Sequence, residues 1–175
     1  MKENVLIIAK YNEKTNKTIA GILGKLSNKD REKNRKSFYG SLSALFRHNI
    51  GATVYFLSLF ADAVKDNAEA LKAVAPLSKT EHFKGKLTEA QWKKVVSFSK
   101  IVDKALIDFI NALREEDFNA AVNIDWYKGN PPSVPLRFML QQHTVHNIHH
   151  RGQISQILDS MKIPNDFSGI SIKLL

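Results

Sequence analysis

The sequence predicts an all-α protein, specifically a four-helix bundle. Four long segments carry apolar residues at helical spacing, and the five prolines lie between these segments or in a first helical turn. The chain has 175 residues, the length of one ordinary domain, and contains neither an internal repeat nor a glycine-rich phosphate loop. We therefore expect residues 1–175 to form a single helical domain.

The apolar pattern places the helices at about residues 2–26, 37–67, 88–114 and 134–161. The second segment is apolar on most of its circumference, which is typical of a buried central helix, and Ser37 is its candidate N-cap. The third segment follows a capping-box pattern, "TEAQ", that begins at Thr88. Pro135 suits the first turn of the fourth helix, with Ser133 as a candidate cap, and Pro164 should stop that helix. The stretch before it is expected to be an extended loop or a short hairpin.

Composition excludes several classes of function. The chain has no cysteine, so disulfides, thiolate metal ligands and a cysteine nucleophile are all absent. The net charge is +9, and residues 1–36 carry a net +6, much of it in "KDREKNRK", where acidic residues are interspersed and no aromatic residue is available to stack on a base. This pattern favours solvated helix and loop surfaces over nucleic-acid binding. No segment has the length of a membrane span, so we expect a soluble, cytoplasmic protein.

The segment "HTVHNIHHRGQ" holds four of the six histidines of the chain. His146 and His150 are four residues apart, so on a helix their side chains lie on one face with Cβ atoms about 5–6 Å apart. Two imidazoles at this spacing can bind one metal ion. His143 and His150 share the apolar face but lie too far apart along the axis to share an ion easily.

A metal site needs a third ligand, and His48 is the best candidate because it interrupts the apolar second helix in "LFRHNIGA". Neutral nitrogens from His48, His146 and His150 would leave one position open, as in catalytic rather than structural metal sites. The alternative is that these histidines are core or surface residues satisfied by ordinary hydrogen bonds. The residues alone leave both interpretations open.

Three motifs together resemble the DinB-like family of small metalloenzymes: "YNEKTNKTI" near the start, "LFRHNIGA", and "HNIHHRGQISQIL" in the last helix. The last is the most specific of the three. The first departs from the family pattern, because "EKTN" follows "YN" where an aromatic residue is common. The resemblance implies a bundle of up-down-down-up topology, commonly a homodimer, with a divalent metal held by His48, His146 and His150.

The resemblance also implies a function. Related enzymes transfer low-molecular-weight thiols such as bacillithiol, or use mycothiol or glutathione, so we expect a metal-activated thiol to attack an electrophile. The metal is expected to be zinc or nickel. The alternatives are a metal-dependent hydrolase, or a non-enzymatic metal-binding protein associated with stress or DNA damage.

Several residues around the predicted metal site have two candidate roles each. Gln153 lies one turn after His150 and is a candidate to orient its imidazole, or else a surface amide. Tyr55 is a candidate hydrogen-bond donor near the metal, or else a core residue. His143 is expected to pack above the site or to support it, His149 to lie at the surface, and His82 to be a surface residue. Phe138, Val145 and Gly152 form a second strip on the last helix that suits a neighbouring helix or a second copy of the chain.

Overall fold

Four long helices frame the fold, as the apolar pattern predicts. The computed structural model describes residues 1–79, 83–124 and 133–171. The α-helices in these ranges are α1 (Lys2–Gly24), α2 (Asn28–Arg31), α3 (Leu42–Ala63), α4 (Ala68–Val74), α5 (Glu89–Ala112) and α6 (Leu136–Ser160). Two short strands, β1 (Ala121–Asn123) and β2 (Ser133–Pro135), pair antiparallel. The all-α fold class is therefore confirmed, with a small ribbon in the stretch where a loop or hairpin was expected.

Contacts between helix pairs define the direction of each helix. In α1 and α5, Lys2 donates to the carbonyl of Asn111 and Asn16 donates to Asp103, so these two helices run antiparallel. Two ring contacts give the relative direction of α3 and α5. Phe46 contacts Trp92 near the start of both helices, and Phe60 contacts Phe109 near the end of both, so these helices run parallel.

The last helix completes the bundle. Thr53 contacts His143 and His48 contacts His150, so α3 and α6 run antiparallel. The guanidinium of Arg151 lies 4.8 Å from the ring centre of Tyr11, and residues earlier in both helices line one small cavity, so α1 and α6 run parallel. Helices α1 and α6 thus point one way and α3 and α5 the other, which is the up-down-down-up topology that the family resemblance implied.

The start of α3 differs from the expectation. Ser37 does not cap the helix, because residues 37–40 form a tight turn in which the Gly40 N–H donates to the Ser37 carbonyl at 2.9 Å. Gly40 has a φ of 79°, a left-handed conformation that suits glycine. Ser41 is the N-cap instead, and its hydroxyl accepts a hydrogen bond from the Ala44 N–H.

The ends of the other long helices agree more closely with the sequence. Thr88 and Gln91 form the predicted capping box at the start of α5. Pro135 is the N-cap of α6 rather than a first-turn residue, and Ser133 lies in β2 and makes no cap. The helix α6 ends at Ser160, before Pro164.

A buried arginine ties the short helix α2 to the bundle. The side chain of Arg31 is 1% exposed, donates to the carbonyls of Leu23 and Leu26, and pairs with Glu89 at the start of α5. Its guanidinium also lies 5.1 Å from the ring centre of Trp92. This single side chain joins the end of α1, the helix α2 and the start of α5.

The core lies between the four long helices, and α3 and α5 contribute seven buried apolar residues each. The α3 residues in the apolar core are Leu42, Leu45, Phe46, Ile50, Phe56, Leu57 and Phe60. This agrees with the prediction of a buried central helix and places His48 on a helix that packs against both α5 and α6. Within the described ranges, no helix combines the length and the apolar character that crossing a bilayer requires.

Candidate metal centre

The structure brings together the three histidines that the sequence analysis selected. His48 extends from α3, and His146 and His150 extend from consecutive turns of the antiparallel helix α6. The Nε2 atom of His48 lies 3.2 Å from that of His146 and 3.2 Å from that of His150. One ring nitrogen from each of the three residues lies within 4.8 Å of the other two.

These distances fit the donor set of a metal ion. Two nitrogens bonded at about 2.0–2.1 Å to a tetrahedral ion lie about 3.3 Å apart. The 3.2 Å separations match this value. Each neutral imidazole offers a single lone pair and a single N–H, so three Nε2 atoms facing one point cannot all satisfy one another by hydrogen bonds. An ion at their centre satisfies all three.

The environment keeps these imidazoles neutral. Burial, with a smaller repulsion from His150, lowers the pKa of His48 to about 4. Burial also lowers the pKa of His146 to about 4, with smaller effects from His150 and His48. The pKa of His150 is lowered by burial too, while its hydrogen bond to Gln153 opposes this change. At neutral pH the lone pairs are therefore available to a cation, as metal ligation requires.

Gln153 holds the ring of His150 from the side away from the cluster. Its Oε1 lies 2.8 Å from the Nδ1 of His150, and its amide nitrogen lies 3.2 Å from the Nε2 of His149. Because the carbonyl oxygen of Gln153 can only accept, Nδ1 of His150 carries the proton and Nε2 presents its lone pair to the cluster. This is the orienting contact that the sequence analysis named for Gln153.

The structure also shows a residue that the sequence analysis missed. Tyr39 stacks on His48 with ring centres 4.0 Å apart and planes 22° apart, and its hydroxyl lies 2.9 Å from the Nε2 of His48. Its ring also meets the edge of His150. Burial raises the pKa of Tyr39. A phenol oxygen therefore lies beside the nitrogen that His48 presents to the cluster.

The remaining candidates lie around the cluster. Tyr55 is 46% exposed and makes an edge contact with Phe56, so the tyrosine seen at His48 is Tyr39, and a role for Tyr55 near the metal stays a prediction. His143 is buried, and its Nε2 lies 3.0 Å from the Thr53 hydroxyl and 2.7 Å from the Asn147 amide nitrogen. His149 is exposed, in agreement with the surface position expected of it. His82 lies outside the described residues.

A cavity of about 540 Å³ opens beside His48, between α3 and α5. Its lining is mainly apolar and includes Phe38, Tyr39, His48, Val95 and Phe98. Arg47 also lines this cavity, with one guanidinium nitrogen 3.1 Å from the carbonyl of Gly85. The cavity therefore has mainly apolar walls and reaches the histidine cluster at His48.

Fold and site together define a class: a helical bundle of up-down-down-up topology in which three histidines from two antiparallel helices face one point. A comparison with protein-family models matches residues 1–161 of the chain to the DinB family. The chain belongs to the DinB family. Comparisons with curated proteins and with solved structures gave no match.

Proposed function

We propose that this DinB-family protein is a metal-dependent enzyme in which His48, His146 and His150 bind a divalent zinc or nickel ion. The observation that carries the proposal is the convergence of three neutral imidazoles, in which the Nε2 of His48 lies 3.2 Å from that of His146 and from that of His150. Three neutral ligands leave the double charge of the ion uncompensated and one side of it free for a substrate. A sealed structural site would need a fourth side-chain ligand that no substrate displaces.

The reaction that we propose is transfer of a low-molecular-weight thiol to an electrophile. A divalent ion supplies the chemistry by stabilising the thiolate form of a thiol at neutral pH. The chain has no cysteine, so the sulfur must come from a cosubstrate. Support for a thiol rather than water comes from the resemblance to DinB-like enzymes that use bacillithiol, mycothiol or glutathione.

The protein would contribute binding and orientation. The cavity beside His48 has aromatic and aliphatic walls from Phe38, Phe98 and Val95, which suit an apolar electrophile. Gln153 would keep the ring of His150 in the tautomer that binds metal. The apolar lining would exclude water from the reacting sulfur.

An activity assay with several thiols tests this function. Protein loaded with zinc or nickel is incubated with bacillithiol, mycothiol, glutathione or cysteine and a bimane-type electrophile, and conjugate formation is measured against the spontaneous rate. We expect faster conjugation with at least one thiol, lost in metal-free protein and in His146→Ala. A rate equal to the spontaneous one with every thiol contradicts thiol transfer, and hydrolysis of ester substrates by the same preparation would support the hydrolase instead.

We also propose that the protein forms a homodimer through α6. Phe138, Val145 and Ile148 are each more than half exposed, at 52%, 60% and 54%. Phe138 and Val145 are seven residues apart and Gly152 follows after seven more, so they share one helix face. Light scattering should give the mass of a dimer for the wild type and of a monomer for Val145→Glu; a monomeric wild type contradicts the proposal.

A further inference from the structure

We infer that Tyr39 is an oxygen ligand of the metal in the absence of substrate, on the side of the ion that the three histidines leave open. This inference rests on the metal site proposed above but not on thiol transfer. The hydroxyl oxygen of Tyr39 lies 2.9 Å from the Nε2 of His48, and that nitrogen lies 3.2 Å from the Nε2 atoms of His146 and His150. The Nε2 of His48 thus has one oxygen and two further nitrogens around it, each at a separation close to that of two ligands on one ion.

The loop before α3 holds Tyr39 in this place. The Arg35 N–H donates to the Gly40 carbonyl at 2.6 Å, and the Gly40 N–H donates to the Ser37 carbonyl at 2.9 Å. Phe38 at the tip of the turn is 91% exposed, whereas the ring of Tyr39 turns inward onto His48. The hydrogen-bonded turn and the ring stacking both specify the position of the phenol.

Binding of an ion to the Nε2 of His48 would remove the acceptor that faces the Tyr39 hydroxyl. In the structure the Tyr39 hydroxyl lies within hydrogen-bonding distance of the Nε2 of His48. An ion bound to that nitrogen uses its only lone pair, so the hydroxyl can no longer donate to it. The oxygen remains beside the ion with its own lone pairs, and the stacked ring keeps it there. Ligation by the phenolate oxygen, with the phenol proton released to solvent as the ion binds, satisfies both groups. A substrate that approaches this side must displace Tyr39.

Copper(II) is a spectroscopic probe for this arrangement, because a phenolate bound to copper(II) gives a charge-transfer band in the visible. Wild type, Tyr39→Phe and Tyr55→Phe are loaded with copper(II), and copper content is measured beside each spectrum. The Tyr39→Phe variant keeps the ring that stacks on His48 and removes only the oxygen. Tyr55→Phe is the matched control, since it removes a phenol oxygen from a half-exposed position on α3.

We expect the band in the wild type and in Tyr55→Phe, and its loss in Tyr39→Phe with copper still bound. Zinc affinity in Tyr39→Phe should fall by roughly tenfold or more, since the loss of a group that only supports a ligand already costs about 10–100-fold. A band that survives in Tyr39→Phe, or wild type that binds copper without a band, overturns the role of Tyr39 and leaves the three-histidine site intact. Wild type that binds no copper and no zinc overturns the metal site and this inference together. None of these outcomes depends on thiol transfer.

Discussion

The Oε1 atom of Gln153 lies 2.8 Å from the Nδ1 of His150, on the opposite side of the imidazole from the other two histidines. The two residues are three positions apart on α6, so the helix itself brings them together. The contact fixes which nitrogen of His150 carries a proton and thereby which one faces the cluster.

Replacing Gln153 by alanine should weaken metal binding without removing it. The ring of His150 would lose the acceptor that selects its tautomer, and such losses typically cost about 10–100-fold in metal affinity. Competition with a chromophoric chelator measures the change. Gln156→Ala is the matched control, because Gln156 lies on the same helix and is exposed. Equal affinities in the two variants would mean that the amide of Gln153 has no role in the metal site.

His143 should make the stability of the metal-free protein depend on pH. Burial lowers its pKa to about 3, and its Nε2 lies 2.7 Å from the Asn147 amide nitrogen, which suits a neutral ring. The pKa in the unfolded chain is near the ordinary histidine value of 6.5, so the unfolded chain binds more protons than the folded protein between pH 6.5 and pH 3. The free energy of unfolding therefore falls as the pH drops through this window.

The comparison of wild type with His143→Gln isolates this effect. Asp103 changes the free energy of unfolding in the opposite direction with pH. Burial raises its pKa to about 7, so its contribution to stability is lost as the pH rises toward that value. Asp103 is present in both proteins, so its contribution cancels in the difference. Urea unfolding at pH 7 and pH 5 should show a larger loss of stability in the wild type than in His143→Gln. Parallel losses would show that His143 is protonated equally in folded and unfolded protein.

Arg31→Ala should destabilise the fold by about 2–3 kcal/mol, since hydrogen bonds from charged groups contribute roughly 1.5–3 kcal/mol each. The side chain is 1% exposed and bonds to two carbonyls, so alanine leaves these acceptors without their donor. Urea unfolding gives the free energy, and Lys29→Ala, on the exposed side of the same short helix, should change it by less than about 0.5 kcal/mol. Equal stability of the two variants would contradict the anchoring role of Arg31.

Helical periodicity explains why much of this structure could be predicted. Apolar spacing identifies the four long helices, because each must bury one face, and the spacing of His146 and His150 is a local property of any helix. The partner helix for this pair could be proposed because His48 interrupts an otherwise apolar segment. The distances between these residues depend on how α3 and α6 pack, and only the structure supplies them.

Periodicity fails where the chain leaves the helix. The pattern extended the second helix back to Ser37, whereas a hydrogen-bonded turn occupies residues 37–40 and the helix begins at Leu42. Tyr39 was missed for this reason, because a turn rather than a helix places it on His48. The signal in the sequence was the pair Gly40 and Ser41, a turn residue followed by a good N-cap.

Metal content measured after purification and dialysis tests the central claim most directly. Wild type, His48→Ala, His146→Ala and His149→Ala are compared by elemental analysis, with His149→Ala as the control because His149 is exposed beside the cluster. We predict about one zinc or nickel ion per chain in the wild type and in His149→Ala, and almost none in the other two variants, since two imidazoles form a weak site. Equal metal content in His48→Ala, His146→Ala and the wild type would contradict a centre built from these histidines.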